Sequence, residues 1–203
     1  NAWLIFEILP QLPLLAKLNM SANVMDDQSW FAFSNFVGQC QSLSHLKLAS
    51  CKLGGQDWQV LGKQLSMLTG LVELNLDDNP LGDMALVVFI CQANRQLNHL
   101  DISRNGWEDG DWQFFAAQLP QLTQLRSVAL KGISSHTFLG TMADWIEASP
   151  HLIRCSISWD SQDHLHSSFK SSVANFQAKL KRNRVKQRTL QTLVDKNHRY
   201  THF

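Results

Sequence analysis

A leucine motif returns along this chain at almost constant spacing, and that period restricts the fold more than any other property. The motif opens at Leu15 (LAKLNMSAN), Leu43 (LSHLKLASC), Leu71 (LVELNLDDN), Leu97 (LNHLDISRN), Leu125 (LRSVALKGI) and Leu152 (LIRCSISWD). The intervals are 28, 28, 26, 28 and 27 residues. A fixed period in this range marks a solenoid in which each unit buries its apolar face only against its neighbours.

The segments between motifs agree. WLIFEILPQLPLL (3–15) aligns with WQFFAAQLPQLTQL (112–125) to within one residue. Trp30, Trp58 and Trp112 stand 13 positions before their motif leucines, Trp3 stands 12 before, and Met84 takes the place in the fourth repeat. A shared helical position predicts packing between repeats for these residues. Trp107 falls where Leu53 and Leu81 fall, which also predicts core. The apolar N-terminus, with Glu7, Pro10 and Pro13 and no basic leader, reads as the tail of a repeat and not as a signal peptide. That places the start of the chain inside a repeat.

Within a unit, xLxL predicts a short strand with Leu74 and Leu76 inward and Glu73, Asn75 and Asp77 outward. Asn79, with its equivalents Asn23 and Asn105, can hydrogen-bond main chain where the strand turns. A turn (NPLGD, CKLGGQD, NGWEDGD) and an amphipathic helix starting near its Asp follow. Stacked strands sit ~4.8 Å apart and packed helices about 8–10 Å apart, so the array should curve, strands on the concave side. Leu165, Phe169, Val173, Phe176 and Leu180 form one helical stripe, the expected C-terminal cap. The predicted organisation is therefore an α/β curved solenoid over 1–160, then a capping helix and basic tail over 161–203.

The LxxLxLxxN/C pattern, at a period near 28, resembles the leucine-rich-repeat family in its ribonuclease-inhibitor-like class. The resemblance runs from residue 3 to about 160 and weakens at the end, where Ile133 and Asp160 replace Asn/Cys and Val128 and Cys155 replace the middle leucine. It accounts for Cys51 as the alternative to asparagine. It implies a binding function. Members of the family block enzymes by covering the active site, sense ligands in intracellular immune receptors, or act as effectors injected by bacteria. The expectation drawn here is a small effector-type regulator, cytoplasmic, or in the host cytosol if injected.

Composition narrows the chemistry. The chain has 203 residues and a formal net charge of +1, with four cysteines outside any CxxC pattern, read as free thiols in a reducing compartment. There is no GxxxxGK[ST], GxSxG or HExxH, and none of the cysteines begins the CxD of effector ubiquitin ligases. His164 and His166 are read as a solvated helix start and not as metal ligands. No enzyme, cofactor or metal is expected. Residues 170–203 carry nine Lys/Arg against one acid, but without interleaved aromatics, so neither nucleic acid nor membrane is the favoured partner.

What remains is recognition of another protein by a chain monomeric apart from its partner. The outward strand positions give the candidate interface: Lys17 and Asn19, His45 and Lys47, Glu73, Asn75 and Asp77, His99, Asp101 and Ser103, Lys131, and Arg154. Asp78 adds charge at the centre. Trp159, in a place held elsewhere by Ala22, Ser50, Asp78, Arg104 and Gly132, reads either as a partner anchor or as a residue under the cap. The run 73–111 holds eight acids against two bases, which suggests a partner with a basic patch, such as an enzyme inhibited by coverage. The alternative is a scaffold or sensor region whose active domain lies in other sequence.

Overall fold

The computed structural model describes residues 6, 12, 14–133, 144–159, 171 and 174–188; of Ser158 and Trp159 it describes the main chain only. Trp3, His164, His166, Leu165, Phe169 and Val173, and the tail from 189 onward lie outside the described residues. The elements run β1 (Lys17–Asn19), α1 (Asp27–Gln39), β2 (His45–Lys47), α2 (Gly55–Ser66), β3 (Glu73–Asn75), α3 (Met84–Ala93), β4 (His99–Asp101), α4 (Asp109–Gln118), β5 (Ser127–Ile133) and β6 (Arg154–Trp159). Two further helical segments are α5 (144–148), before β6, and α6 (174–188).

The six strands form one parallel sheet in sequence order. The motif position sets the register, pairing Leu18, Leu46, Leu74, Leu100, Val128 and Cys155 in turn. One sheet face and the helices enclose the core, in which Leu46, Leu74, Leu100 and Val128 are at most 3% exposed. Trp30, Trp58, Met84 and Trp112 are all buried, as their common repeat position predicts, and Trp107 is buried beside Trp112, edge to face at 6.3 Å. Consecutive helices from α1 to α4 pack against one another. Side-chain caps fix two of their starts: Asp26 Oδ1 accepts from Ser29 N at 2.8 Å and Asp83 Oδ1 from Leu86 N at 3.0 Å.

The asparagines do more than turn the chain. Asn79 Oδ1 accepts from Cys51 N and Leu53 N of the preceding repeat, and its Nδ2 donates back to Leu48 O at 2.8 Å. Asn105 Nδ2 reaches Leu76 O in the same relation, and the Cys51 thiol points at Met20 O at 3.2 Å. Cysteine substitutes here because its S–H, though weak, donates to the same carbonyl. The residue just before each of these positions is left-handed: Ala22, Ser50, Asp78 and Arg104, with φ between 52° and 62°. Where Ile133 replaces asparagine the side chain has no such bond to make, and the strands run on, to seven residues in β5 and six in β6.

β5 and β6 also correct one alignment. Lys131 pairs with Ser158 and Ile133 with Trp159, so Gly132 (φ 78°) is an extra residue with no partner in β6. Trp159 is therefore the neighbour of buried Ile133 and not the equivalent of Gly132. Its side chain lies outside the description.

The spacing of repeats two and three depends on Gly54. A Cβ built there would lie 2.3 Å from the main-chain oxygen of Pro80 in the next repeat. Gly54→Ala should destabilise the protein by about 1–3 kcal/mol, because main chain has to move to admit one methyl. A urea midpoint equal to the parent's would show that the turn gives way freely.

At the other end α6 lies against the last repeat. Phe176 and Leu180 enter the core, and Asn183 Nδ2 points at Ile146 O, Ser149 O and Leu152 O, each at 3.1 Å. Lys179 joins α6 to α5 through Asp144 at 3.0 Å and Glu147 at 2.9 Å.

Candidate functional site: the open face of the sheet

The face of the sheet turned away from the helices carries side chains in registered rows. Lys17, His45, Glu73, His99, Ser127 and Arg154 make the first; Asn19, Lys47, Asn75, Asp101, Ala129 and Ser156 make the second. Every one of them is exposed or partly exposed. Between β3 and β6 the rows border a shallow depression of about 310 Å³, lined by Glu73, Asn75, His99, Asp101, Ser127, Ala129 and Arg154 over Leu74 and Leu100. Five of these lining residues are among the sequence-derived candidates. Ser127 and Ala129, the outward positions of β5, complete the lining.

Ser103 does not belong to this face. It is 0% exposed, and its Oγ accepts from Lys131 N at 3.0 Å, just as Ser21 Oγ accepts from Ala49 N at 3.1 Å. The strand has already ended there, so strict alternation no longer points the side chain to solvent. Three other candidates have a structural task as well. Asn19, Asn75 and Asp101 each accept, through Oδ1, from the amide two residues on. Such local bonds close the turn at the strand's end.

The charge pattern is also revised. Arg104, brought round by its left-handed backbone, forms a two-pronged ion pair with Asp77 in the preceding repeat. Lys47 pairs with Glu73 at 2.9 Å. Asp78 accepts from Ser50 Oγ at 2.7 Å. Lys47 and Arg104 thus neutralise two of the four central carboxylates, Glu73 and Asp77, while Asp78 and Asp101 form no ion pair among the described residues and Lys17, Lys131 and Arg154 stand toward the two ends of the sheet. The centre keeps part of the acidity that sequence counting implies. The Lys47 ammonium holds the Glu73 carboxyl below its ordinary range, burial opposes this, and the charges of Lys47, His45 and His99 reinforce it. Asp77 in turn raises Arg104 further. Of the depression's charged residues, Asp101 and Arg154 form no ion pair among the described residues.

Chemically, this face can hold polar and charged groups at fixed spacing. Among the described residues no group of three or more His, Cys, Asp or Glu is placed to hold a metal ion, and no helix is long and apolar enough to cross a membrane. Cys40, Cys51, Cys91 and Cys155 are free thiols, the first three buried.

No family model matches the chain. Solved structures share its fold. The structure titled leiomodin-1 actin-binding site 2 matches with a TM-score of 0.52 and 14% identity, over 95% of each chain. The tropomodulin C-terminal domain of Caenorhabditis elegans matches with a TM-score of 0.51 and 14% identity, over 94% of this chain and 99% of that one. The expected ribonuclease-inhibitor-like class, and the bacterial effector type with it, is corrected by these findings. A period near 28 specifies a strand, a turn and a helix. Different repeat families build on that unit, so the period selects an architecture and not a family.

Proposed function

We propose that this chain is a protein-recognition domain. In this reading the sheet and its helices form a curved solenoid over 1–160, closed by a cap and tail over 161–203, and the open strand face meets the partner. The observation that carries the reading is the pair of registered polar rows on a sheet whose other face is core from β2 to β5. Solubility alone does not require His, Asn, Asp and Arg side chains to be held at strand spacing around a depression. The likeness to a domain titled as an actin-binding site supports a protein as the partner and makes actin the first to try. Inhibition by coverage is the finer form of the proposal. Six strands span ~24 Å, and with flanking loops such a face suits an interface of about 800 Å² per partner.

The test uses the depression's two charges that form no ion pair among the described residues. Asp101→Asn keeps the oxygen that accepts from Ser103 N while removing the charge. Combined with Arg154→Glu, it should weaken a captured partner, or actin in cosedimentation, by tenfold or more, about 1.4 kcal/mol. Equal affinity for parent and double variant would move recognition off this face. For a captured partner that is an enzyme, its activity with and without this chain then decides the inhibition.

A further inference from the structure

The last strand presents a second surface, independent of the sheet face. Arg154 N donates to Arg126 O, just before β5, so the main-chain groups of Arg154 and Ser156 point to β5 and those of Cys155 and Ile157 point the other way. That outer edge has no strand beside it among the described residues. The core is open at the same place: Cys155 and Ile157 are partly exposed, whereas their neighbours Val128 and Leu130 are at most 1% exposed.

Beside this edge runs α6, and a groove of about 740 Å³ separates the two. Ile157, Phe176 and Leu180 give it an apolar floor, and Lys181 and Arg184 stand along its wall. Over 174–188 the helix carries six Lys/Arg and no acid. Lys179 is paired with Asp144 and Glu147, and Arg184 Nε donates to Ile153 O, but Lys181 is exposed with no partner among the described residues. Asn183, on the buried stripe with Phe176 and Leu180, fixes the rotation of the helix, so Lys181 and Arg184 are held along the groove's wall.

We infer that the β6 edge and α6 form a strand-addition site for an extended protein segment in which acidic and apolar side chains alternate. Main-chain bonds to Cys155 and Ile157 would supply affinity, the apolar floor would take one set of side chains, and Lys181 and Arg184 would face the other. Charge complementarity selects an acidic occupant. The apolar floor, with no aromatic platform on the exposed helix face, favours a peptide over nucleic acid, which needs stacking surfaces. The exposed helix face offers Val185 as its one large apolar side chain, too little for a bilayer.

The experiment titrates the full chain into a fluorescent octapeptide of alternating Asp and Val and follows anisotropy. Binding is expected, weakened at least tenfold by N-methylation of alternate peptide amides and at least tenfold by Lys181→Glu. N-methylation leaves the protein untouched, so a folding defect in the variant does not blur the result. No binding, or binding indifferent to both changes, overturns the proposal. So does preferential binding of an oligouridine or of phosphatidylserine vesicles, which would make α6 a general anion surface. Concentration-dependent self-association lost in Lys181→Glu would assign the edge to a second copy and overturn it equally. Asp101 lies on β4 and does not line this groove, so Asp101→Asn alone tests the sheet face without touching the β6 edge, and failure of one site does not imply failure of the other.

Discussion

Asn79→Ala should cost about 3–4 kcal/mol, far more than an ordinary polar-to-alanine change. The side chain is 2% exposed and makes five hydrogen bonds, to Cys51 N, Leu53 N, Leu48 O, Leu76 O and Asp77 O. Alanine strands two buried amides, each costing about 1–3 kcal/mol, and leaves three carbonyls short of a donor. Asn23→Ala is the control. Its residue is exposed and its two side-chain hydrogen bonds among the described residues are both local, to Met20 O and Ser21 O, so the loss should stay near 1 kcal/mol. Urea unfolding measures both, and hydrogen exchange at the Cys51 and Leu53 amides reports the local effect. Similar midpoints for the two variants would mean that packing alone holds the repeats together.

Trp58→Ala should be equally severe, at about 4 kcal/mol. Trp58 is 0% exposed, on the helix that packs between α1 and α3, so its removal opens a void against both neighbours. Trp58→Phe separates the causes. The indole N–H has no acceptor among the described residues, so phenylalanine loses volume but no hydrogen bond. Its cost should stay under about 1.5 kcal/mol. Equal losses for alanine and phenylalanine would point to an unrecognised partner for the indole nitrogen.

The legible parts of this fold are those set by periodicity. The motif leucines gave the strand register, the tryptophan position gave the helix interface, and the Phe176–Leu180 stripe gave the buried side of α6. Asn183 continues that stripe by a three-residue step, but a polar side chain there reads as surface until the helix-end carbonyls of α5 and the following turn are seen to need a donor. Ser103 misled for the opposite reason. It follows the strand alternation in sequence, but the turn has begun and its hydroxyl serves the next repeat's main chain.

Electrostatics was the least legible layer. Counting eight acids against two bases misses that Arg104, at a left-handed turn position, can reach back across 27 residues to Asp77. Composition assigns charges to a stretch; only the turn geometry assigns them to each other. The same limit explains the family correction, since the motif describes one unit and the unit is shared by different proteins.

The asparagine ladder has a consequence for how such a chain can change. Each rung joins a repeat only to the one before it, and the bond is to main chain, which every sequence supplies. The rungs themselves therefore allow a unit to be duplicated or deleted between them, provided that neighbour-specific fits such as Gly54 against Pro80 and Arg104 with Asp77 are matched, and cysteine can stand in at Cys51 without breaking the series. Ile133 ends this interchangeability. Beyond it, β5, β6 and α6 are fitted to one another by side chains specific to them, so growth in the number of repeats is open on the amino-terminal side of that residue and closed after it.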